Sequence, residues 1–167
     1  MTEPDLRIAV LVEQGFQELE FWYPVLRFRE DGHQVTVVGP DRDATYKSRL
    51  GYPVIPDVAP VEVTAEDFQV VVVPGGDAAD RIAANAGMLD LVRRAAASGA
   101  VTAALSSGRV VLEAAGLLEP TSADTERTAG VVRTKRIVTA SNVDDLPNLI
   151  RTITEALEIA GASVTGN

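Results

Sequence analysis

Short, continuous apolar runs alternate along this chain with longer amphipathic stretches. This alternation is typical of βαβ units rather than of a helical bundle or an all-β sandwich. The apolar runs predict strands that are buried on both faces, as in a parallel sheet. The five predicted strands are Arg7–Glu13, Gln34–Gly39, Gln69–Val73, Val101–Leu105 and Arg136–Ala140. The pattern therefore predicts an α/β fold, with a doubly wound, mostly parallel sheet and helices on both faces.

The amphipathic stretches between these runs predict helices. The predicted helices are Glu18–Glu30, Met88–Ser98, Gly108–Ala115 and Asp144–Ala160, with Asp144 as the cap of the last one. The stretch Pro40–Pro60, rich in Pro, Asp and Gly, predicts a small hairpin or loop excursion. We expect residues 1–167 to form a single domain that ends in a flexible tail, Gly161–Asn167.

The first predicted helix has two apolar stripes. One stripe consists of Leu19, Trp22, Tyr23 and Leu26, and the second of Phe21, Val25 and Phe28. A helix needs only one stripe to pack on its own sheet. Either large side chains fill a wide core face, or the second stripe docks on another subunit. The second alternative predicts a homodimer or a higher homo-oligomer.

Composition and charge exclude several classes of function. The 167 residues contain no cysteine and one histidine, with 15 Lys+Arg against 24 Asp+Glu and a net charge of −9. Without cysteine there is no disulfide, iron–sulfur cluster or thiol nucleophile, and we expect neither a metal nor a cofactor. The acidic balance argues against a nucleic-acid partner. Because the first apolar run, Ile8–Val12, is too short for a signal peptide or a membrane span, we expect a cytoplasmic protein without membrane association.

Unusual residues follow three of the predicted strands. In a doubly wound parallel sheet, ligands bind beyond the carboxyl ends of the strands. The segments at these strand ends are Glu13–Glu20 for the first strand, Pro74–Asp77 for the third and Leu105–Arg109 for the fourth. Each segment alone has an ordinary explanation, as a turn, a solvated carboxylate or a helix cap. Together they would surround one crevice, and the Ser-Ser-Gly that follows the fourth strand has the layout of a nucleophile elbow above a helix N-terminus.

The order of these motifs resembles that of the ThiJ/PfpI family, in the class I glutamine-amidotransferase-like superfamily. The matching segments are Gly15–Pro40, Leu50–Asp57, Phe68–Gly76 and Val101–Leu118, in family order and spacing. The resemblance covers nearly the whole chain. It implies a flavodoxin-like fold and an intracellular-protease-like site at the nucleophile elbow.

The resemblance also implies a set of site residues, and this chain departs from it. Family members have a cysteine at the elbow, often followed by a histidine, and a glutamate from the first helix that is hydrogen-bonded to the thiol. The corresponding residues here are Ser106, Ser107 and Glu20. Backbone amides of Gly76 and Ser107 would form the oxyanion hole. The predicted catalytic site is therefore degenerate.

Four glycines of these motifs are predicted to line the crevice and bind a ligand. They are Gly15, Gly75, Gly76 and Gly108. Glycine lets the backbone approach a ligand closely, and free N–H groups can point into a crevice.

Ser106 has no obvious general base. A serine hydroxyl needs one, usually a histidine that a carboxylate orients. The single histidine, His33, precedes the second strand and is therefore expected at the opposite end of the sheet. Carboxylates such as Glu20 are weak bases for a hydroxyl, and neither Lys47 nor Lys135 lies in a motif that places it at the elbow. Loss of the base costs about 10⁴ to 10⁶ in the rate of serine enzymes, so we expect little or no hydrolase turnover.

Two hypotheses of different classes follow. The first is a non-catalytic module, with a ligand-binding, regulatory or structural role, whose crevice binds a small polar or anionic ligand. The second is a serine-dependent amidase or peptidase-like hydrolase that uses Ser106. A flavin or dinucleotide binder is disfavoured, because no Gly-x-Gly-x-x-Gly motif follows a strand.

Overall fold

A computed structural model describes residues 5–118 and 125–162, which contain a seven-stranded sheet and a separate two-stranded hairpin. The strands are β1 (Arg7–Leu11), β2 (Gln34–Val38), β3 (Tyr46–Lys47), β4 (Pro53–Val54), β5 (Val70–Val73), β6 (Val101–Leu105), β7 (Thr125–Thr128), β8 (Val131–Thr134) and β9 (Ile137–Ala140). The order in the large sheet is β2-β1-β5-β6-β9-β8-β7. Its first five strands are parallel and coincide with the five predicted strands. Counted along the chain, their order is 2-1-3-4-5, which is that of a flavodoxin-like fold.

The helices cover both faces of this sheet, as predicted. They are α1 (Glu18–Glu30), α2 (Ala78–Ala84), α3 (Ala86–Ala97), α4 (Arg109–Ala114) and α5 (Leu146–Ala162). One face holds α1 and α5, and the other holds α2, α3 and α4. The prediction missed α2, a seven-residue helix too short to show two turns of clear apolar periodicity. It also began α3 at Met88, although the Asn85 side chain caps that helix by accepting a hydrogen bond from the Met88 N–H at 3.0 Å.

An antiparallel hairpin, β7–β8, extends the sheet beyond β9 and was not predicted. Its two-residue turn, Ala129–Gly130, has φ of +44° and +81°. Positive φ at both turn residues suits the twist of a hairpin. The exposed, polar β7 lacks the apolar run by which the other strands were predicted. By contrast, the hairpin predicted within Pro40–Pro60 is confirmed as the antiparallel pair β3–β4.

In α1 the second apolar stripe is buried and the first is partly exposed, which is the reverse of what the docking hypothesis required. Phe21, Val25 and Phe28 are fully buried in the core of their own chain, so the second stripe does not dock on another subunit. This stripe faces the strands, so its side chains pack against the sheet of their own chain. In the first stripe, Leu19 and Leu26 are 53% and 58% exposed. If α1 meets another subunit, it does so through the first stripe.

The start and end of α5 also differ from the prediction. A 3₁₀ turn, Val143–Asp145, precedes the helix, and the Asp145 carboxylate, rather than that of Asp144, accepts a hydrogen bond from the Asn142 N–H at 3.2 Å. The helix continues through Gly161 to Ala162, two residues into the stretch that was predicted as a flexible tail. The rest of that stretch, residues 163–167, lies outside the described residues.

Candidate functional site

The predicted elbow has the backbone of a nucleophile elbow. Strand β6 ends at Leu105, a 3₁₀ turn covers Ser106–Gly108, and α4 follows directly. Ser106 has a φ of +49°, in the left-handed region that non-glycine residues rarely adopt. Strain of this kind holds a side chain above the sheet at the strand-to-helix turn of such enzymes. The chain therefore presents a serine in the conformation that the resemblance assigned to a cysteine.

Glu20 lies beneath the elbow and contacts it directly. Its side chain is 2% exposed, and its Oε1 accepts a short hydrogen bond from the Ser106 hydroxyl. Its Oε2 accepts a hydrogen bond from the Gly75 N–H at 2.7 Å. The Gln17 side chain fixes the first turn of α1 by accepting from the Glu20 N–H at 2.8 Å. Both oxygens of the buried carboxylate are thus held, by partners from the turn after β6 and from the loop after β5.

The Ser107 hydroxyl is hydrogen-bonded to the Gly76 N–H, which is one of the two predicted donors of the oxyanion hole. The Gly76 N–H donates to Ser107 Oγ at 2.9 Å, and Ser107 Oγ donates back to the Gly76 carbonyl at 3.1 Å. Gly76 has a φ of +87°, and a Cβ there would collide with the carbonyl oxygen of Gly15. Only glycine fits this position. The amide that was predicted to stabilise an oxyanion already has a partner within the chain.

The other two predicted ligand-binding glycines, Gly15 and Gly108, contact the end of β5 and the loop that follows it. The Gly15 carbonyl accepts from the Asp77 N–H at 3.0 Å, which joins the loops after β1 and β5. Gly108 is buried, and a Cβ there would lie 2.7 Å from the Val73 carbonyl oxygen. The absent side chain at Gly108 therefore lets α4 pack closely on the end of β5. A ligand-binding role for these glycines stays a prediction.

Two contacts at this site were not predicted from the sequence. The Ser106 hydroxyl lies 3.3 Å from the carbonyl oxygen of Ser141, which follows β9. The backbone of Lys47 in β3 also borders the crevice, because its carbonyl accepts from the Gly15 N–H at 2.8 Å. The same rule that identified the other loops, that ligands bind beyond strand ends, would have found Ser141. The contact of Lys47 depends on a long-range fold of the β3–β4 hairpin that periodicity does not show.

Glu18 joins the β3–β4 hairpin to the start of α1, beside the site. Its Oε1 accepts from the Leu50 N–H at 2.6 Å. Burial by itself would raise the pKa of Glu18, but the hydrogen bonds from Ser48 and Leu50 and the charge of Arg49 outweigh it. The pKa of Glu18 is therefore lowered. The ionised carboxylate is the form that holds this loop.

His33 lies far from the elbow, as predicted. It immediately precedes β2, at the amino end of the parallel strands, whereas Ser106 follows the carboxyl end of β6. Its ring packs near that of Phe28, with centroids 6.2 Å apart. His33 cannot act as a base for Ser106 within one chain.

The described residues contain neither a cluster of metal-binding side chains nor a helix that could span a membrane. Across residues 5–118 and 125–162, no group of three or more His, Asp or Glu side chains is placed to hold a metal ion. None of the helices in the described ranges is both long enough and apolar enough to cross a membrane.

The fold and site define an α/β domain with a nucleophile elbow at the carboxyl edge of a flavodoxin-like sheet. The profile of the DJ-1/PfpI family matches residues 6–156 of this chain. The chain belongs to the DJ-1/PfpI family.

Named relatives and solved structures agree with this assignment. A deglycase of Pyrococcus abyssi is 31% identical over 113 residues, which are 68% of each chain. Protein/nucleic acid deglycase 2 of Escherichia coli is 28% identical over 172 residues, covering 93% of this chain and 98% of the relative. The structure of Drosophila melanogaster DJ-1beta superposes with a TM-score of 0.78 at 20% identity, over 98% of this chain and all of that one. A two-domain protein of Anabaena variabilis, with DJ-1/ThiJ/PfpI-like and ferritin-like domains, gives a TM-score of 0.83 at 25% identity, over 92% of this chain and 48% of that one.

Proposed function

We propose that this chain is a DJ-1/PfpI-type module that does not catalyse the family's cysteine chemistry and whose elbow crevice binds a small polar or anionic ligand. The observation that carries the proposal is the hydrogen bonding of the Ser106 hydroxyl. In the described part of the chain, its partners are the Glu20 carboxylate and the Ser141 carbonyl. Neither is a histidine. Without such a base, serine enzymes lose about 10⁴ to 10⁶ in rate.

The state of the oxyanion hole supports the same proposal. Electrostatic stabilisation needs donors aimed at the charge that develops in the transition state. Of the two predicted donors, the Gly76 N–H donates to the Ser107 hydroxyl. A substrate oxyanion would have to displace this hydroxyl to reach the Gly76 N–H. A ligand with its own donors can instead use the Ser106 and Ser107 oxygens as acceptors.

The deglycase names of several relatives bear on the choice of activity. The resemblance to the family implies a cysteine at the elbow, and this chain has no cysteine at any position. A deglycase reaction through a thiol is therefore not part of the proposal. The role that remains is regulatory or structural, with ligand binding at the crevice.

A second candidate is a serine-dependent amidase or peptidase-like hydrolase. The strained backbone of Ser106 and its hydrogen bond to Glu20 favour it, since a carboxylate in direct contact can take up a hydroxyl proton. In this mechanism Ser106 Oγ would attack the carbonyl carbon while Glu20 accepts the hydroxyl proton. Glu20 would then return that proton to the amine as the C–N bond breaks, and water would hydrolyse the acyl-serine ester. The weak basicity of carboxylates argues against efficient turnover.

A fluorophosphonate probe distinguishes the two candidates. The wild-type chain, Ser106→Ala and Ser107→Ala are incubated with the probe beside an active serine hydrolase, and labelling is read by intact mass. We expect no labelling of any of the three chains. Stoichiometric labelling of the wild type and of Ser107→Ala, lost only in Ser106→Ala, would replace the non-catalytic module by the hydrolase.

The proposal includes a homodimer, formed through the exposed stripe of α1, and a cytoplasmic location. Leu19 and Leu26 are more than half exposed, and Trp22 and Tyr23 are half-buried beside them. Leu50, also exposed, is tied to the same end of α1 by its hydrogen bond to Glu18. Contiguous apolar surface of this kind marks protein interfaces. A cysteine-free chain is compatible with a reducing compartment such as the cytoplasm.

A further inference from the structure

A second cavity lies outside the elbow crevice, on the face of the sheet that carries α4. Its volume is about 240 Å³, and it runs between α4 and the strands β7 to β9. None of Glu20, Ser106, Ser107 or Gly76 lines it. Ligand sites for drug-sized molecules are usually about 300–1,000 Å³, so this cavity suits a smaller molecule.

Three cations line this cavity in a chain with a net charge of −9. They are Arg109 from the start of α4, Arg127 from β7 and Lys135 from the turn between β8 and β9. Over residues 5–118 and 125–162, none of the three forms an ion pair. Like charges repel one another, and grouping them around a concave surface raises the local potential for an anion. The lining therefore favours an anionic occupant.

Lys135 lies in the tight turn between β8 and β9, at the edge of the cavity. Its φ of +55° is a feature of this hairpin turn, as the positive φ values of Ala129 and Gly130 are of the turn between β7 and β8. The turn is held in place because Arg133 Nε donates to the Lys135 carbonyl at 3.0 Å. The hairpin therefore fixes the position from which Lys135 contributes its charge to the cavity.

The remaining lining residues indicate what the anion carries. Thr134 and Thr139 add hydroxyl groups to the lining, and Thr139 is buried. The Thr134 hydroxyl shares a hydrogen bond of 3.0 Å with that of Thr125 and can donate to an anionic oxygen while it accepts from Thr125. Ile137 and Val132 give the cavity an apolar wall. We propose that this cavity binds a small organic phosphate, with its dianionic head among Arg109, Arg127 and Lys135 and a short apolar substituent against Ile137 and Val132. The proposal is independent of the function assigned to the elbow crevice.

Titration with propyl phosphate, followed by backbone amide NMR, tests this site on the full chain. We expect saturable shifts of amides in β7 to β9 and at the start of α4. Inorganic phosphate should bind several-fold more weakly, because it cannot use the apolar wall. Butanol, which is uncharged, should cause no shifts in these segments.

A double variant, Arg127→Gln with Lys135→Gly, removes two of the charges with little risk to the fold. Arg127 is exposed, and glycine suits the positive φ at position 135. We expect its affinity for propyl phosphate to fall at least about tenfold, whereas Arg29→Gln with Arg81→Gln, which removes two exposed cations outside the cavity, should bind as the wild type does. Unshifted β7–β9 amides in the wild type, equal affinity for the two phosphates, or unchanged affinity in a folded double variant would each overturn the proposal.

Discussion

The Ser107 hydroxyl exchanges two hydrogen bonds with Gly76, accepting from its N–H at 2.9 Å and donating to its carbonyl at 3.1 Å. A single hydroxyl thus connects the loop after β5 to the turn after β6. We predict that Ser107→Ala lowers the free energy of unfolding by no more than about 1 kcal/mol, because Ser107 is exposed and water can replace its hydroxyl. Urea denaturation measures this difference. A loss of several kcal/mol in the free energy of unfolding would contradict this prediction and show that the fold depends strongly on the hydroxyl.

Replacing Glu20 should be far more damaging. Glu20→Ala removes a buried side chain and leaves the Gly75 N–H without its acceptor. We expect a loss of about 3 kcal/mol in the free energy of unfolding. Glu20→Gln keeps the volume and one carbonyl acceptor, so its loss should be smaller, about 1–2 kcal/mol. Equal stability of both variants and the wild type in urea would contradict the role given to the carboxylate in holding the crevice.

A cysteine at the elbow should be unusually reactive. Ser106→Cys introduces the only thiol of the chain, at a turn whose backbone enters a helix, and such positions lower the pKa of a thiol below its usual value of about 8.5. We therefore predict faster alkylation by iodoacetamide at pH 7, and faster oxidation by peroxide, than for Val61→Cys. Val61 is 93% exposed and provides a control thiol without these surroundings. Equal rates in two folded variants would count against the elbow assignment.

The contribution of Glu18 to stability should depend on pH. Folding lowers the pKa of this carboxyl below its ordinary value of 4.5, so the folded state favours the ionised form. Its stabilisation is present above pH 4.5 and is lost as the pH falls through the lowered folded-state value. Glu18→Gln should be less stable than the wild type at pH 7, by less than about 1 kcal/mol because the group is partly exposed, and equally stable near pH 2. Thermal unfolding at the two pH values tests this, and a difference that persists unchanged in acid would refute it.

The exposed stripe of α1 predicts an assembly that charge should disrupt. Leu19→Lys with Leu26→Lys places two cations in the apolar surface, and we expect sedimentation equilibrium to show a dimer for the wild type and a monomer for this variant. Val61→Lys, at an exposed site away from α1, is the matched control and should remain dimeric. A wild-type chain that is strictly monomeric at micromolar concentration would end the proposal.

Apolar periodicity predicted the parallel core of the fold but not its antiparallel edge. Strand β5 reads Val70–Val73 without interruption, so its burial on both faces is visible in the sequence. Strand β7 has the sequence Thr-Glu-Arg-Thr and is held by pairing with β8. This pairing cannot be predicted from the residues of β7 alone, because they show no apolar pattern. The hairpin also brings Arg127 to the second cavity, so the cavity was equally invisible to the sequence reading.

At the crevice, the sequence identified the participants but not their bonding. The strand-end rule and the family resemblance placed Ser106 and Glu20 at one site, and the structure joins them by a hydrogen bond. The sequence did not show that the Ser107 hydroxyl accepts a hydrogen bond from the Gly76 N–H. This contact depends on a side-chain rotamer that the packing of the loops selects. The sequence left the position of the two stripes of α1 open for a related reason. Two apolar stripes are equivalent in a helical wheel until the direction of the sheet is known.

The outer strand β7 limits how copies of this chain can join one another. Its residues are mostly exposed, and Glu126 and Arg127 place opposite charges on the free edge of the sheet. Charged side chains on an edge strand discourage a neighbouring molecule from adding its own strand there. Within the described residues, this edge therefore disfavours open-ended, fibre-like growth by strand addition at β7.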